Sequence, residues 1–309
     1  FFRYFATGLT ILSFLGSLLV SAPSLWAQAL ATSPRTGMLT GISGPPAATL
    51  GLNLPIPGTL VSLSPSYVPA LLKGMTISPS NPFRFNFIID SGNSDQGIDQ
   101  VQSESEKLVK YFLASLAIPQ EDLWVNLSPY EKDRIIPEGL GKTELGRDLL
   151  AQDYLLKQLT ASLLHPEEDL GRKFWERVRN KIIDEYGINE IPVDTFHKVW
   201  IIPESAAVSE HGTTVMVVNS RLKVLLEEDY LSLINGRHEP AQNAQGNNQA
   251  YKEVSLQYMR ELIIPAIEQE INEGKNFAPL RQIYHALILA KWYKETFQKN
   301  LFAQIFVDH

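Results

Sequence analysis

Apolar residues recur at helical spacing through most of the chain beyond residue 97, and at strand spacing in only a few short runs. Leu108, Val109, Phe112, Leu113 and Leu116 form one such helical stripe up to Pro119, and Ser103-x-x-Glu106 ahead of it has the form of a capping box. Leu145, Leu149, Leu150, Tyr154, Leu155 and Leu159 predict a second helix over Glu144 to Leu164. A third follows Pro166, with Glu167, Glu168 and Asp169 at its positive end and Gly187 as its terminator. Two more close the chain, one over about 248–273 kinked at Pro265 and one over about 279–303 that starts at Pro279.

Strand signals are confined to two places. NPFRFNFIID ends in an apolar run bounded by Pro82 and Gly92, and KVWIIPESAAVSEHGTTVMVVNS carries two branched-apolar runs around Ser209-Glu210-His211-Gly212, a hairpin signal. Arg221 to Ile234 has both periods, and Leu222, Leu225, Leu226 and Leu233 favour helix. GRHEPAQNAQGNNQA (236–250) is a polar loop. A few strands set among many helices give an α+β class: a mostly helical single domain over 83–309 with a small antiparallel sheet or hairpin.

Residues 30–82 break both periods. Prolines at 45, 46, 55, 57, 65, 69, 79 and 82 forbid a long helix and interrupt strand pairing, and glycine and serine supply turns between them. The segment is nonetheless apolar, with Leu50, Leu52, Leu54, Ile56, Leu60, Val61, Leu63, Val68, Leu71 and Leu72, whereas disorder goes with low hydrophobicity. It reads as an extended Pro-, Gly-, Ser- and Leu-rich arm lying on a surface, its own or a partner's. Residues 1–29 read as a signal peptide: Arg3, an uncharged apolar run from Tyr4 to Val20, then small residues with cleavage expected after Ala29 or Ala27. The competing reading is an uncut anchor.

Composition narrows the function classes. There is no cysteine, which excludes disulfides, thiolate metal sites and a cysteine nucleophile. Residues 1–82 carry Arg3, Arg35 and Lys73 and no acid, so subtracting those charges from the total of −7 leaves −10 on 83–309. An acidic domain of that size repels phosphate backbones, and nucleic acid is not an expected partner. No later segment has the length of a membrane span, since the most apolar one, Leu280 to Tyr293, is interrupted by Arg281 and His285.

From Trp124 onward longer words stand out: WVNLSPYEKDRIIPEGLGKTELGRDLLAQDYLLKQLTASLLHPEEDLGRKFW, KVWIIPESAAV, RLKVLLEEDYL and NEGKNFAPLRQIYHALILAKWYK. With the NPFRFNFIID strand, these words resemble an uncharacterised family of exported bacterial proteins. The resemblance implies export and a shared domain, and brings no activity, cofactor or catalytic residue with it.

Four chemical leads remain. Asp90-Ser91-Gly92 after Ile88-Ile89 imitates the catalytic strand of an aspartic protease, but such an enzyme needs two aspartates side by side, and no second apolar-apolar-Asp-Ser/Thr-Gly occurs. Asp90, Asn93, Asp95 and Asp99 offer oxygen ligands for a cation, yet Gly92 and Val101 occupy the third and twelfth places of the EF-hand pattern, where acids belong. Glu204, Glu210 and His211 flank the hairpin as a conceivable acid and base. GLGKTELG (139–146) imitates a phosphate loop without its spacing and reads as a helix start. The expected function is therefore an exported envelope or periplasmic protein, non-enzymatic and without a cofactor, that binds another macromolecule or itself through the arm. The alternative is a hydrolase using carboxylate chemistry at Asp90 or at the Glu204/Glu210/His211 hairpin.

Overall fold

A computed structural model describes residues 8–12, 54–93, 98–118, 141–187, 198–235 and 247–307. Its strands are β1 (Gly8–Leu12), β2 (Leu71–Ser78), β3 (Asn81–Asp90), β4 (Val199–His211) and β5 (Thr214–Leu226). Its helices are α1 (Ile98–Leu116), α2 (Glu144–Leu163), α3 (Asp169–Tyr186), α4 (Glu227–Asn235), α5 (Asn247–Tyr258), α6 (Ile264–Glu273) and α7 (Ala278–Val307). The fold is α+β with an antiparallel sheet.

The sheet runs β1-β4-β5-β2-β3, with every neighbouring pair antiparallel. The long β4–β5 hairpin is its spine, turning at Gly212, whose φ of 60° suits a residue without a Cβ. Two irregularities decide which side chains face inward. Register slips at Glu204 on β4 and at Val218 on β5, and each extra residue switches the inward parity. Val199, Ile201 and Pro203 are buried before the first slip, and Ala206 and Val208 after it. On β5, Val215 and Val217 give way to Leu222, Val224 and Leu226. Glu204 is exposed because it is the bulge residue. At the β2–β5 junction Gly74 is required, since a Cβ there would lie 2.5 Å from the Val215 carbonyl oxygen.

Helix α7 is the centre of the core. Residues Gln282 to Tyr293 are buried on every side of the helix, as expected of a helix covered on both faces. The sheet lies on one flank: the Tyr284 hydroxyl donates to the Ser205 carbonyl (2.9 Å), and the Trp292 indole donates to Glu210 Oε1 (2.8 Å). On the other flank, Phe112 of α1 packs edge-on against Tyr293, and the Lys294 ammonium caps the Ser115 carbonyl near the end of α1 (2.9 Å). The other sheet face is covered at one end, where Ile202 is buried and Tyr230 of α4 stacks on Trp200 (ring centroids 4.3 Å apart), and is open around Met216 and Val218, which an antiparallel sheet tolerates.

Several expectations change in detail. Leu71–Ser78, counted in the arm because of its flanking prolines, is strand β2 at the sheet's interior. The stretch Arg221 to Ile234 is strand as far as Leu226 and helix only from Glu227, because pairing with β4 overrides the leucine pattern. Ser103 and Glu106 sit inside α1, which already begins at Ile98, so they do not cap it. Pro265 lies in the first turn of α6, after a π-helical turn at Met259–Ile263 that separates it from α5. Thr143 caps α2 by accepting from the Gly146 N–H (3.1 Å), which fits a helix start at GLGKTELG. Among the described residues no helix is long and apolar enough to cross a membrane.

Candidate functional site

Residues 54–70 form a strap across the ends of α2, α6 and α7. This stretch contains no charged residue and four prolines, so its backbone groups need partners supplied by the domain. The Tyr154 hydroxyl donates to the Pro55 carbonyl (2.8 Å), and the Val61 N–H donates to Ser162 Oγ (2.7 Å). Tyr67 gives its N–H to the Glu273 carbonyl (2.8 Å) and receives the Arg281 guanidinium on its own carbonyl (2.8 Å). A second Arg281 nitrogen holds the Ile271 carbonyl (2.8 Å), and burial pushes this guanidinium down to about 10, still cationic at neutral pH.

The clasp of the strap is Ser64 on Glu270. The Ser64 N–H donates to Glu270 Oε2 (2.8 Å), its hydroxyl donates to Oε1, and its Oγ accepts from the N–H groups of Lys275 (2.6 Å) and Asn276 (3.1 Å). Glu270 is only 3 % exposed, so these donors stand in for water around a carboxylate. The Asn276 side-chain amide adds a bond to the Ser62 carbonyl (3.1 Å).

Between the strap and the helices runs a trough. Its larger part, about 850 Å³, is walled by Leu54, Leu60 and Val61 of the strap and by Ala151 and Leu155 of α2. A smaller part of about 220 Å³ continues past Tyr67 and Pro69. Lys107, Lys275 and Pro279 line both and form the neck. Lys107 pairs with Asp148 (3.1 Å), which also accepts from the Tyr111 hydroxyl; burial first and the carboxylate second push that phenol's pKa far up. Lys275 lies over the Tyr67 ring, 5.7 Å from its centroid. Gln152, on the wall of the larger part, is 5 % exposed, and its Oε1 has no hydrogen-bond partner.

The residues singled out by sequence lie elsewhere. Asp90 is exposed and its Oδ1 accepts from the Gly92 N–H (3.0 Å), which is a turn-stabilising role. Asn93 is exposed and gives its backbone N–H to the Val68 carbonyl (2.9 Å); Asp95 lies outside the described residues, and of Asp99 only the helical backbone is described. Glu204 pairs with Arg221 (2.9 Å), which also holds Glu268 (2.8 Å). Glu210 accepts from Trp292, and His211 is exposed at the hairpin tip. Glu204 and Glu210 are six residues apart on one strand, roughly 20 Å. The register Glu210–Val215–Met75–Phe87 puts Asp90 three strands away and three residues along, more than about 15 Å from Glu210. Among the described residues, no three of His, Asp and Glu gather as a metal site requires.

One nucleophile–base pair does occur, Ser220 Oγ with His285 Nε2 at 3.0 Å. Its environment opposes general-base work. His285 is 5 % exposed, and burial first, then Lys73 and Arg281, push the imidazole down to about 4. A cation formed there during proton transfer has nothing comparable to offset it. Ser220 partners one ring nitrogen of a core histidine, whose Nδ1 is buried without a hydrogen-bond partner.

Sequence reasoning missed the trough and its clasp. A signal for the clasp was present: Glu270 stands on the apolar stripe Ile263, Ile267, Ile271 of the α6 region, and an acid on a buried stripe needs a donor from elsewhere. No family model, curated protein or solved structure matches the chain.

Proposed function

We propose that this is an exported, non-enzymatic binding protein of the bacterial envelope or periplasm, whose strap presents an apolar row to a protein partner. The observation that carries this reading is exposure on a fixed segment: Ile56 (73 %), Leu63 (47 %) and Val68 (43 %) face outward from a strap whose backbone is tied to the domain. Leu150 extends the row, one helical turn from the Tyr154 that holds Pro55. Exposed apolar side chains grouped on one pinned element suit a contact surface. The absence of charge on residues 54–70 makes the strap the place where another acidic protein is least repelled.

Export rests on the leader-like residues 1–29 and the family resemblance. In a secreting bacterium the mature chain is expected to begin at Gln28 or Leu30, as read by intact mass; a full-length chain in the membrane fraction favours the anchor instead. The binding surface is tested by placing a photo-crosslinking residue at position 63, with position 185 on α3 as a control. A discrete protein adduct at 63, lost when Ile56 and Val68 are changed to Ser, supports the reading. Equal adducts at 63 and 185 overturn it. An adduct of twice the chain's mass identifies the partner as a second copy.

A further inference from the structure

We propose that strand β3 is an interface through which two copies of this chain join their sheets, edge to edge and antiparallel about Phe87. This surface is separate from the outward apolar row of the strap, and the proposal does not rest on that row.

β3 is the last strand at one end of the sheet, and among the described residues nothing pairs with its outer side. Its side chains alternate. Phe83 meets Phe297 of α7, Phe85 meets Phe112 and Tyr293, and Phe87 meets Phe112, so the odd positions face the helices. Arg84, Asn86, Ile88 and Asp90 therefore face the other way. Arg84 and Asp90 are exposed, and neither makes an ion pair among the described residues. The aromatic side is incompletely covered too: Phe85, Phe87 and Ile89 are half-buried, and Phe83 is exposed.

The strand is complementary to itself in one register. With Phe87 on a two-fold axis normal to the sheet, Arg84 stands opposite Asp90 of the second copy, Phe85 opposite Ile89, Asn86 opposite Ile88 and Phe87 opposite its own counterpart. The axis makes each unlike pairing twice, so two ion pairs flank a central Phe–Phe contact, the kind of cross-strand pairs that stabilise a sheet. Moving the axis by one residue either way sets Arg84 and Asp90 opposite uncharged residues, so the charges select the register. Every residue from Phe85 to Asp90 is paired with β2, which holds the strand extended across this overlap. Charges on an edge commonly repel a neighbouring strand, and a guard of one sign would do that here. One charge of each sign, three residues to either side of Phe87, instead favours a second copy of this same strand.

Sedimentation of the full chain over a wide concentration range, with a charge exchange, tests this. Wild type is expected to show a monomer–dimer equilibrium. Arg84→Asp sets two acids opposite each other at both ends of the overlap, and Asp90→Arg sets two arginines there. Each should weaken self-association by about tenfold or more. Mixed in equal amounts, the two single variants recover both opposite-charge pairs and should form a heterodimer, which also shows that both fold. The double variant Arg84→Asp/Asp90→Arg recovers the pairs within one chain type and should dimerise like wild type. A monomeric wild type, dimerisation untouched by either single variant, or single variants that stay apart when mixed each overturns the proposal. Changing Ile56 and Val68 to Ser leaves β3 intact, so loss of the strap's outer contact is read separately from loss of this dimer.

Discussion

Ser64 and Glu270, 206 residues apart in the chain, are joined by two hydrogen bonds: the serine N–H and hydroxyl each donate to one oxygen of the buried carboxylate. Neither residue is explicable alone. Ser64 belongs to a proline-rich strap with few partners of its own, and Glu270 lies between Ile267 and Ile271 on the buried face of α6. The pair converts an apolar, uncharged segment into a fixed edge of the trough. Gly274 completes the arrangement, since a Cβ there would stand 2.3 Å from the Glu270 carboxyl carbon.

Ser64→Ala is expected to loosen the strap without unfolding the domain. It removes one donor to a buried carboxylate and one acceptor shared by Lys275 and Asn276. A lost hydrogen bond to a charged group costs about 1.5–3 kcal/mol, to be read from the urea midpoint. Amide exchange should accelerate across residues 61–67 and stay unchanged in α7. An unchanged midpoint would show that the clasp is decoration.

Gly274→Ala attacks the same bond from the other side. The new methyl displaces the Glu270 side chain, so the expected destabilisation is again about 1–3 kcal/mol. In a double-mutant cycle with Ser64→Ala the two effects should fall short of their sum by at least about 0.5 kcal/mol, because both remove one interaction. Strict additivity would mean that the two substitutions act on separate interactions.

Asp90→Asn should leave stability within about 1 kcal/mol of wild type, because an asparagine oxygen can still accept from the Gly92 N–H. Neither form should cleave peptides at acidic pH. Acid proteolysis by the wild type, abolished by this one change, would restore the protease reading.

The fold was legible where one period dominates. Gly187, with φ 65°, ends α3 at its expected terminator, and Gly212 turns the hairpin where the branched-apolar runs meet. It was less legible where pairing overrode pattern, as in Arg221 to Leu226, whose leucines imitate a helix until β4 is placed beside them. The parity switches at Glu204 and Val218 have no local signature, since a bulge is defined only by the partner strand. The site was not legible at all as a site. Lys107, Gln152 and Lys275 come from α1, α2 and the α6–α7 turn, and nothing in their spacing says that one trough gathers them.

β1 carries a consequence for export. Gly8–Leu12 pairs with Ala206–Glu210 on the outer edge of β4, inside the segment expected to be removed as a leader. Backbone amides of β4 that face this edge should therefore exchange faster in the mature chain than in the precursor, while β5 amides facing β4 stay protected. Equal exchange in both forms would show that β1 contributes nothing to the edge.

His285 gives the chain a pH response of definite sign. In the unfolded chain an imidazole titrates near its ordinary value of 6.5, and in the folded core burial, with Lys73 and Arg281, pushes it down to about 4 against the weaker pull of the Leu72 carbonyl and Asp90. Between those values the unfolded chain takes up a proton that the folded one refuses, so stability falls as pH drops. The contribution is complete above about pH 6.5 and is lost progressively down to about pH 4, on the order of 2–3 kcal/mol in all. His285→Gln can keep a hydrogen bond to the Ser220 hydroxyl and does not titrate. The variant should be less stable than wild type at pH 7.5, and the gap should narrow as urea melts are repeated toward pH 4.5. A gap of constant size across that range would show that the buried imidazole does not couple to folding.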